Sequence, residues 1–569
     1  MIKTRIAFEL EVLFKYDFFS DLDYFSAKSM AAAFNEKDPV VIASSALISR
    51  SLFEGHICLE IFSLAGLQKP LSDDGRIGFE YPKADAWINS LKNSSMVSND
   101  CHTPLVLDSG SKLYFARYFD FQNRLVDNIA QRVSFPVPLR EKPLINEILE
   151  EFFPYEDEHC RPQKIAVENA LLKPFTIISG GPGTGKTFVI SIIRKALSLY
   201  AKKKGLAEQR VICLAPTGKA SSKLDEGSTI HSALKPMPNS PGFHHNKMNP
   251  MNKDIVIIDE ASMIDLPLLV RLLEAVPLKA GVILTGDKHQ LASIQAGAVF
   301  SDLCSVNGLS PNTVLLEYNF RSRGKTGIEK LSKAINERDI QGFESLLLSG
   351  GFPDLIFEGY NSKGSVMDIL QKYITKEYRP FGEAQETADA IGKLDEFRIL
   401  CAHNKGEYGT LQINHICEKI LRSSNNSGIE GKPFVKPVMV TVNDYKKGLF
   451  NGDTGVAVGK NGSITAFFKG LDNRIKTYRY SDLPSHDTAF AITIHKSQGS
   501  EFETILMVIP DRFSPVVTRQ LLYTGVTRAK KKVILIGDLD LMKAAIRMNV
   551  KRHSGIEEYL EKKLRKKIY

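Results

Sequence analysis

Apolar positions along the chain recur in two distinct rhythms. Up to about residue 115 they interleave with polar ones at helical spacing, as in Val40 to Leu64, which predicts a separate, mainly helical unit. From Phe175 onward, short β-branched runs alternate with helical stretches. The runs Phe175–Ser179, Val211–Ala215, Asp254–Ile258 and Gly281–Thr285 are each too apolar to expose either face, so they predict buried parallel strands in an α/β sheet. A second series, Arg398–Ala402, Glu503–Val508 and Lys532–Ile536, predicts a second α/β core in tandem. Between its strands lie Pro437–Val442, the turn segment Phe450–Gly455 and Ser463–Phe468, which read as short strands in tight turns and predict a small β-barrel insertion. The three prolines of Pro136–Pro143 break the helical pattern and mark a linker. The expected division is therefore a helical unit at 1–115, a linker at 116–145, a first core at 146–320, a second core at 321–435 and 486–569, and the β insertion at 436–485.

Chemistry enters at the end of the first of these strands. Residues 180–187 read Gly180-Gly181-Pro182-Gly183-Thr184-Gly185-Lys186-Thr187, between the run ending at Ser179 and a helical stretch from Phe188 to Leu197. Glycines let the backbone wrap a phosphate chain with its N–H groups inward, and the following helix adds its positive end. Lys186 is then placed to reach the β- and γ-phosphates of ATP, and Thr187 to ligate Mg²⁺. Asp259 and Glu260 end the run Ile255–Ile258, at the carboxyl edge of the expected sheet; Asp259 suits Mg²⁺ and Glu260 suits the attacking water. Gln290, after the run ending in Gly286-Asp287, stands where an amide could sense the γ-phosphate, and Gln163, upstream of the loop, where an amide could pair with the adenine edge. Arg321 and Arg528 are candidates to deliver positive charge to the departing phosphate from the second core. A charge bridging two cores would make closure of their cleft depend on the nucleotide, which is how a motor works.

The loops Ala215–Lys219, Thr229–His231 and Thr493–Gly499 carry hydroxyls, amides and cations near strand ends, which suits a phosphodiester backbone. Pro216, Thr217, His231, Thr493, His495 and Lys496 are the candidate DNA contacts, with Phe320, Tyr445, Phe450 and His495 as stacking partners for bases. For His231 and His495 the plainer alternative is helix capping or a satisfied core histidine. The Pro/Asn/His-rich stretch 235–252 reads either as a pin that splits duplex or as a long surface loop. Adjacent His244 and His245 lack the further ligands a metal site needs, and Lys562–Lys567 reads as a solvated helix end.

Bulk properties narrow the class. At 569 residues the chain exceeds one core, and its 43% hydrophobic and 24% charged content is that of a globular protein. No apolar run is long enough to span a membrane, and Glu9 and Glu11 interrupt the start before a signal-peptide core develops, so a cytoplasmic location without membrane attachment is expected. The seven cysteines stand singly, without metal-ligand or disulfide spacing. A net charge of +9 is compatible with a polyanionic partner.

Taken in order, 180–187, Ala-Pro-Thr-Gly-Lys-Ala (215–220), Asp-Glu-Ala-Ser-Met-Ile-Asp (259–265), Gly-Asp-Lys-His-Gln-Leu (286–291), Asn-Phe-Arg-Ser (319–322), Thr-Ile-His-Lys-Ser-Gln-Gly (493–499) and Tyr-Thr-Gly-Val-Thr-Arg-Ala (523–529) resemble the motifs of superfamily one helicases. Within that group the chain resembles the RecD family, the alpha subunits of exodeoxyribonuclease V; Asn443-Asp-Tyr, Gly448–Gly455 and Leu400-Cys-Ala carry the narrower match. The resemblance implies two tandem RecA-like P-loop NTPase domains, a mainly helical N-terminal domain and an SH3-like β-barrel insertion, and it adds Asn443 to the DNA contacts. It also implies an ATP-driven motor moving 5′ to 3′ on single-stranded DNA. Such a motor acts at duplex ends beside RecB-like and RecC-like subunits in double-strand-break repair, with nuclease activity in the RecB-like chain. The N-terminal unit is too short for the extra helix-hairpin-helix segments of the family's self-standing members, so it is expected to dock partners. Two alternatives stand beside this reading: a stand-alone or plasmid-encoded helicase of the same core, and an assembly subunit whose ATPase is incidental.

Overall fold

The protein is described from a computed structural model. It covers residues 2–566 apart from 73, 137–139, 156, 238, 239, 241, 294, 322–325, 361–365, 383–386, 426–433, 445, 461, 462, 471–473, 549 and 550. Two parallel sheets form its centre. The first has six strands, in the order Ser228–Thr229, Val211–Ala215, Ile255–Ile258, Gly281–Gly286, Phe175–Gly180 and Thr313–Leu316, all parallel. Its central strands are buried along their length, as their unbroken apolar runs require: every residue of Phe175–Gly180 and of Ile255–Ile258 is enclosed. The helix Lys186–Lys204 leaves the sheet directly from Gly185 and stops at Gly205, whose left-handed backbone returns its N–H to the carbonyls of Ala201 and Lys202.

The second sheet has five strands, in the order Leu355–Gly359, Ala529–Gly537, Phe502–Val508, Phe397–Cys401 and Ala491–Thr493, again parallel. Two α/β cores in tandem were legible from the strand runs. Between Phe397–Cys401 and Ala491–Thr493 the chain forms a five-stranded antiparallel sheet, Phe434–Val440, Thr454–Lys460, Ser463–Lys469, Ile475–Arg479 and His486–Thr488. It has a small core of its own around Val438, Val440, Leu449, Ala457, Ala466 and Phe468.

The outer parts differ from the expected boundaries. Helices such as Asp21–Phe34 and Pro39–Phe53 do carry the N-terminal region, capped by Ser20 and Asp38. Short strands accompany them in a three-stranded and a four-stranded sheet, too brief for their alternation to register in the sequence pattern. The segment expected as linker, 116–145, is mostly a helix, Ala116–Val133, whose Phe121, Leu125, Val126, Ile129 and Ala130 are buried in the core of the first sheet. Within it Arg132, fully enclosed, donates to the carbonyls of Leu273 near the end of the helix Leu266–Ala275 and of Pro277 and Ala280 just beyond it, and so ties the two helices together. The last helix, Ile556–Arg565, was expected with the second core. Instead Ile556, Leu560 and Leu564 sit in the first core's apolar cluster, against Ala116–Val133. Its basic residues face outward, as the sequence indicated for 562–567, of which 567 lies outside the described residues. No helix among the described residues is long and apolar enough to cross a membrane.

Candidate nucleotide and nucleic-acid sites

The phosphate loop occupies the expected strand-to-helix corner, and its glycines answer to specific neighbours. Gly183 and Gly185 have φ of +81° and +87°. A Cβ on Gly183 would lie 2.4 Å from Asn319 Oδ1, and one on Gly185 would lie 2.3 Å from Gln163 Nε2. Gln163 is buried and donates to the carbonyl of Thr184 at 3.0 Å, while Thr184 Oγ1 donates to Gly181 O at 2.8 Å. Gln163 thus braces the loop from behind. Pro182 accepts from Asn319 Nδ2 at 3.3 Å. Lys186 Nζ arches back to the carbonyls of Gly180 at 2.7 Å and Gly181 at 3.0 Å. Thr187 is exposed on the first turn of the helix.

Next to the loop, Asp259 is buried, and its Oδ1 accepts from Thr285 Oγ1 at 2.5 Å and from the Glu260 N–H at 2.9 Å. Glu260 sits in the left-handed region, φ +52°, a conformation that costs a side-chain-bearing residue about 1 kcal/mol or more and turns its carboxylate off the strand end. Burial, and then the charge of Asp259, raise its pKa above the ordinary glutamate value, opposed by Lys186, Arg528 and Lys223. Among the described residues, Glu260 Oε2 and Gln290 Oε1 are buried polar atoms without a hydrogen-bond partner, as expected of groups that serve a bound polar ligand. Gln290 Nε2 donates to Asp287 Oδ2 at 3.1 Å.

The second core closes the far side. Tyr523 donates to Asp287 Oδ2 at 3.0 Å, and its hydroxyl lies 2.9 Å from where a Cβ of Gly181 would be. Thr524 Oγ1 accepts from the Leu291 N–H at 2.9 Å, and Gln498 Nε2 donates to Leu291 O at 2.8 Å. Arg528 is buried and donates to the carbonyls of Thr524 and Ser500, both at 3.1 Å, with its charge felt at Glu260. Arg321 does not rise from the second core as expected. It stands on the connection after Thr313–Leu316, beside Gly183, and reaches across so that Nη2 lies 2.9 Å from both carboxylate oxygens of Glu501. A cleft of about 530 Å³ between the cores is lined by Gly181, Asp287, Asn319, Arg321, Tyr523 and Lys530 among others.

The candidate DNA residues gather along one edge. Pro216 and Thr217 follow Val211–Ala215, and Thr493 to Lys496 follow Ala491–Thr493; Gly499, φ +72°, brings the two loops together, its absent Cβ falling 3.6 Å from Thr217 Oγ1. Thr217 caps its own short helix through Ala220 N, and Thr493 Oγ1 accepts from Lys496 N. Lys496 pairs with Asp487 at 3.3 Å. His495 is half-buried, and burial lowers its pKa, with a further push from Arg552. His231 follows Thr229, which pairs with Ala215, and its ring meets that of Phe243 with centroids 5.8 Å apart. Phe243 forms an antiparallel bridge with Pro236 and lies under Arg271, so the root of the stretch 235–252 packs onto the first core. Asn443 Oδ1 accepts from Asn451 N in the insertion, whose Phe450 packs within 3.5 Å of a Cβ built on Gly218.

One stacking expectation changes, and one is not met by the described residues. Phe320 lies not on the DNA edge but at the phosphate loop, its N–H donating to Gly183 O at 3.0 Å. It meets Tyr318, which in turn stacks on His159 with centroids 3.8 Å apart. Tyr445 lies outside the described residues. Sequence reasoning gave no role to Tyr523, Gln498, Glu501 or Lys223. The first three lie inside or beside the quoted motifs, and their spacing could have flagged them; nothing in the sequence marks Lys223, an exposed lysine whose charge bears on Glu260 and Glu501.

Similarity to known proteins bears on this geometry. Family models match at residues 15–114 (RecBCD enzyme subunit RecD, N-terminal domain), 163–296 (AAA domain) and 488–536 (UvrD-like helicase C-terminal domain). The chain is 31% identical over 562 residues to the RecBCD enzyme subunit RecD of Mycolicibacterium smegmatis, covering 95% of this chain and 97% of that protein. The chain belongs to the RecD family. It is accordingly an ATP-dependent DNA helicase subunit. The ATP-dependent RecD2 DNA helicase of Deinococcus radiodurans is 29% identical over 395 residues, covering 67% of this chain and 50% of that longer protein. Among solved structures, the Pif1 helicase of Candida albicans overlays 72% of this chain and 99% of its own at 15% identity and a TM-score of 0.38.

Proposed function

We propose that the chain is the 5′ to 3′ motor of a RecBCD-type exodeoxyribonuclease V, working on single-stranded DNA at duplex ends in the cytoplasm beside RecB-like and RecC-like subunits. What supports this most is one arrangement: Tyr523, Thr524, Gln498 and Glu501 of the second core all bond the rim of the phosphate-loop side, so the ATP site and the cleft between the cores are one structure. In the reading offered here, Gly180 to Gly185 cradle the phosphates and Lys186 faces the β- and γ-phosphates. Thr187 and Asp259 would hold Mg²⁺, which would offset phosphate charge when bound; the exposed hydroxyl and the buried carboxylate beside the loop fit that ion. Glu260, whose raised pKa suits a proton acceptor, takes a proton from water as the water oxygen bonds the γ-phosphorus and the bond to the bridging oxygen breaks. Arg321 and Arg528 offset the charge that develops on the leaving group. Gln290 senses the γ-phosphate, and Gln163 holds the loop in shape.

Opening and closing of that cleft would move the loops of Pro216–Thr217 and Thr493–Lys496 relative to each other along a strand, with His231 and Asn443 flanking them. In this reading the two parallel sheets are RecA-like, the antiparallel insertion is SH3-like, and residues 1–115 dock partner subunits. The test is unwinding by the chain assembled with its partner subunits, with the partner motor disabled, on duplexes carrying either a 5′ or a 3′ single-stranded tail. Unwinding of the 5′-tailed duplex alone is the expected result; preference for the 3′ tail would overturn the polarity, and no ATP-dependent unwinding of either would overturn the motor role.

A further inference from the structure

After the second core ends with the helix Leu539–Arg547, the chain returns to the first core, and the return is stitched at every residue from Arg552 to Gly555. Arg552 Nη1 donates to three backbone carbonyls of one loop: Ser293 at 2.5 Å, Gln295 at 3.2 Å and Gly297 at 3.0 Å. Its guanidinium passes so close to Gly55, φ +93°, that a Cβ there would lie 2.6 Å from Nε. The same loop is tied to the N-terminal region directly, Gly297 N–H to Gly55 O at 2.8 Å. His553 continues the junction: its N–H donates to His56 Nδ1 at 3.0 Å, its carbonyl accepts from Ile57 N at 2.8 Å, and its ring lies 4.9 Å from that of His56 and 2.9 Å from Glu60 Oε2. Ser554 Oγ donates to Asp302 at 2.6 Å, and Gly555 N–H to Gln122 Oε1 at 2.8 Å.

The loop that Arg552 gathers is the continuation of Gln290 and Leu291. Leu291 is gripped by the second core through both its N–H and its carbonyl, and Gln290 is the amide beside Asp287 at the phosphate loop. The positive charge of Arg552 also reaches His495 on the second core. One side chain thus stands where the N-terminal region and the loop leaving the ATP site meet, with its charge felt at the DNA-edge loop of the second core. An arginine suits this place because it stays charged and is a donor only, so Nη1 can serve several carbonyls of one loop at once.

We propose that Arg552 is a positioning residue for the motor: by holding the carbonyls of Ser293, Gln295 and Gly297 it fixes the loop through which Gln290 and Leu291 engage the second core, and it links that loop to the N-terminal region. The inference rests on the helicase reading above for its activity readout, but its geometric part is independent. A loop set loose at one end tolerates a range of Leu291 positions, so nucleotide still binds while the cores fail to engage productively on DNA. Turnover falls and affinity for ATP does not.

The test uses the full chain, with ATP hydrolysis followed in the presence of single-stranded oligothymidylate. Arg552→Met, which keeps length and removes the donors, is expected to lower DNA-stimulated kcat ~fivefold or more with KM for ATP changed less than ~twofold, and Arg552→Lys to restore part of it. Leu560→Ala, which loosens the same strap through its helix, is expected to lower Tm without that fall in kcat at permissive temperature. Hydrogen exchange at the Leu291 amide is expected to quicken in Arg552→Met and not in Leu560→Ala. Parental kcat in Arg552→Met, or the same losses in both variants, would overturn the proposal. Should Arg552→Met fail to fold, Arg552→Lys carries the comparison, with parental kcat and parental exchange at Leu291 as the overturning result. If the unmodified chain shows no DNA-stimulated hydrolysis, the helicase reading fails by itself, and exchange at Leu291 still decides the role of Arg552.

Discussion

Glu260 holds a backbone conformation that its side chain resists, beside a second carboxylate and three cations, and that placement gives it a distinctive acid–base behaviour. Burial and Asp259 disfavour its charged form, so the carboxylate proposed to accept the proton is lost on the acid side at a pH above the ordinary glutamate range. The pH profile of kcat is therefore expected to fall on lowering pH earlier than an exposed glutamate would dictate, and Glu260→Gln is expected to bind ATP while losing ~10²-fold or more in turnover. Equal turnover in Glu260→Gln would remove it from the chemistry. Gly185 supplies a second test at this scale. A methyl group at φ +87° would meet Gln163 Nε2, so Gly185→Ala is expected to weaken ATP binding, measured by nucleotide titration, more than it lowers global stability. The loop was legible in the sequence because only glycine tolerates such backbone and such neighbours. Tyr523 was not, because its meaning lies in a bond to Asp287 on the other core, which no local pattern encodes.

Helices and strands show the same division between local and distant information. The runs around Ile177, Ile257 and Ile505 declared buried parallel strands because a strand covered on both faces must be apolar throughout. The basic run 562–567 marked a solvated helix end, but not that Leu560 and Leu564, four residues apart on the helix's other side, are buried in the first core. Ala116–Val133 was hidden by the prolines of Pro136–Pro143, which lie just beyond its end and marked the whole stretch as linker; its Arg124 pairs with Glu274 at 2.6 Å, and Arg132 is buried on carbonyls. The return strap carries an expected pH signature. Asp302 is half-buried, and burial pushes its pKa up to about 7 despite the Ser554 hydrogen bond and the charges of Lys551 and Arg552, with Glu557 adding to the rise. A folded-state pKa above the unfolded value means the native protein holds the extra proton between about pH 4 and 7, so stability declines as pH rises through that window, by up to about 1.4 kcal/mol per pH step. Asp302→Asn is expected to flatten that slope in urea unfolding measured at pH 5 and pH 7; an unchanged slope would show that Asp302 titrates as an ordinary carboxylate. Leu560→Ala, leaving a cavity between this helix and Ala116–Val133, is expected to cost about 2–5 kcal/mol.

Over the whole molecule, two cores face each other across a cleft that four polar bridges span: Tyr523 to Asp287, Thr524 and Gln498 to Leu291, and Arg321 to Glu501. In the proposed function the ATP site lies on one side of this contact, and the loops of Thr217 and Thr493–Lys496 meet on its edge, so a change at the phosphates that alters the bridges would move the loops relative to each other. Tyr523→Phe keeps the packing and deletes one bridge, and is expected to reduce the stimulation of ATP hydrolysis by DNA more than hydrolysis without DNA; equal loss in both would make Tyr523 a structural residue only. The coupling of the two sites is the central claim, and it is tested most directly by ATP hydrolysis of the purified chain with and without single-stranded DNA, beside Lys186→Gln and in the presence and absence of partner subunits. Hydrolysis that DNA strongly stimulates and that Lys186→Gln abolishes is the expected result. Hydrolysis indifferent to DNA, even with the partner subunits bound, would contradict the account.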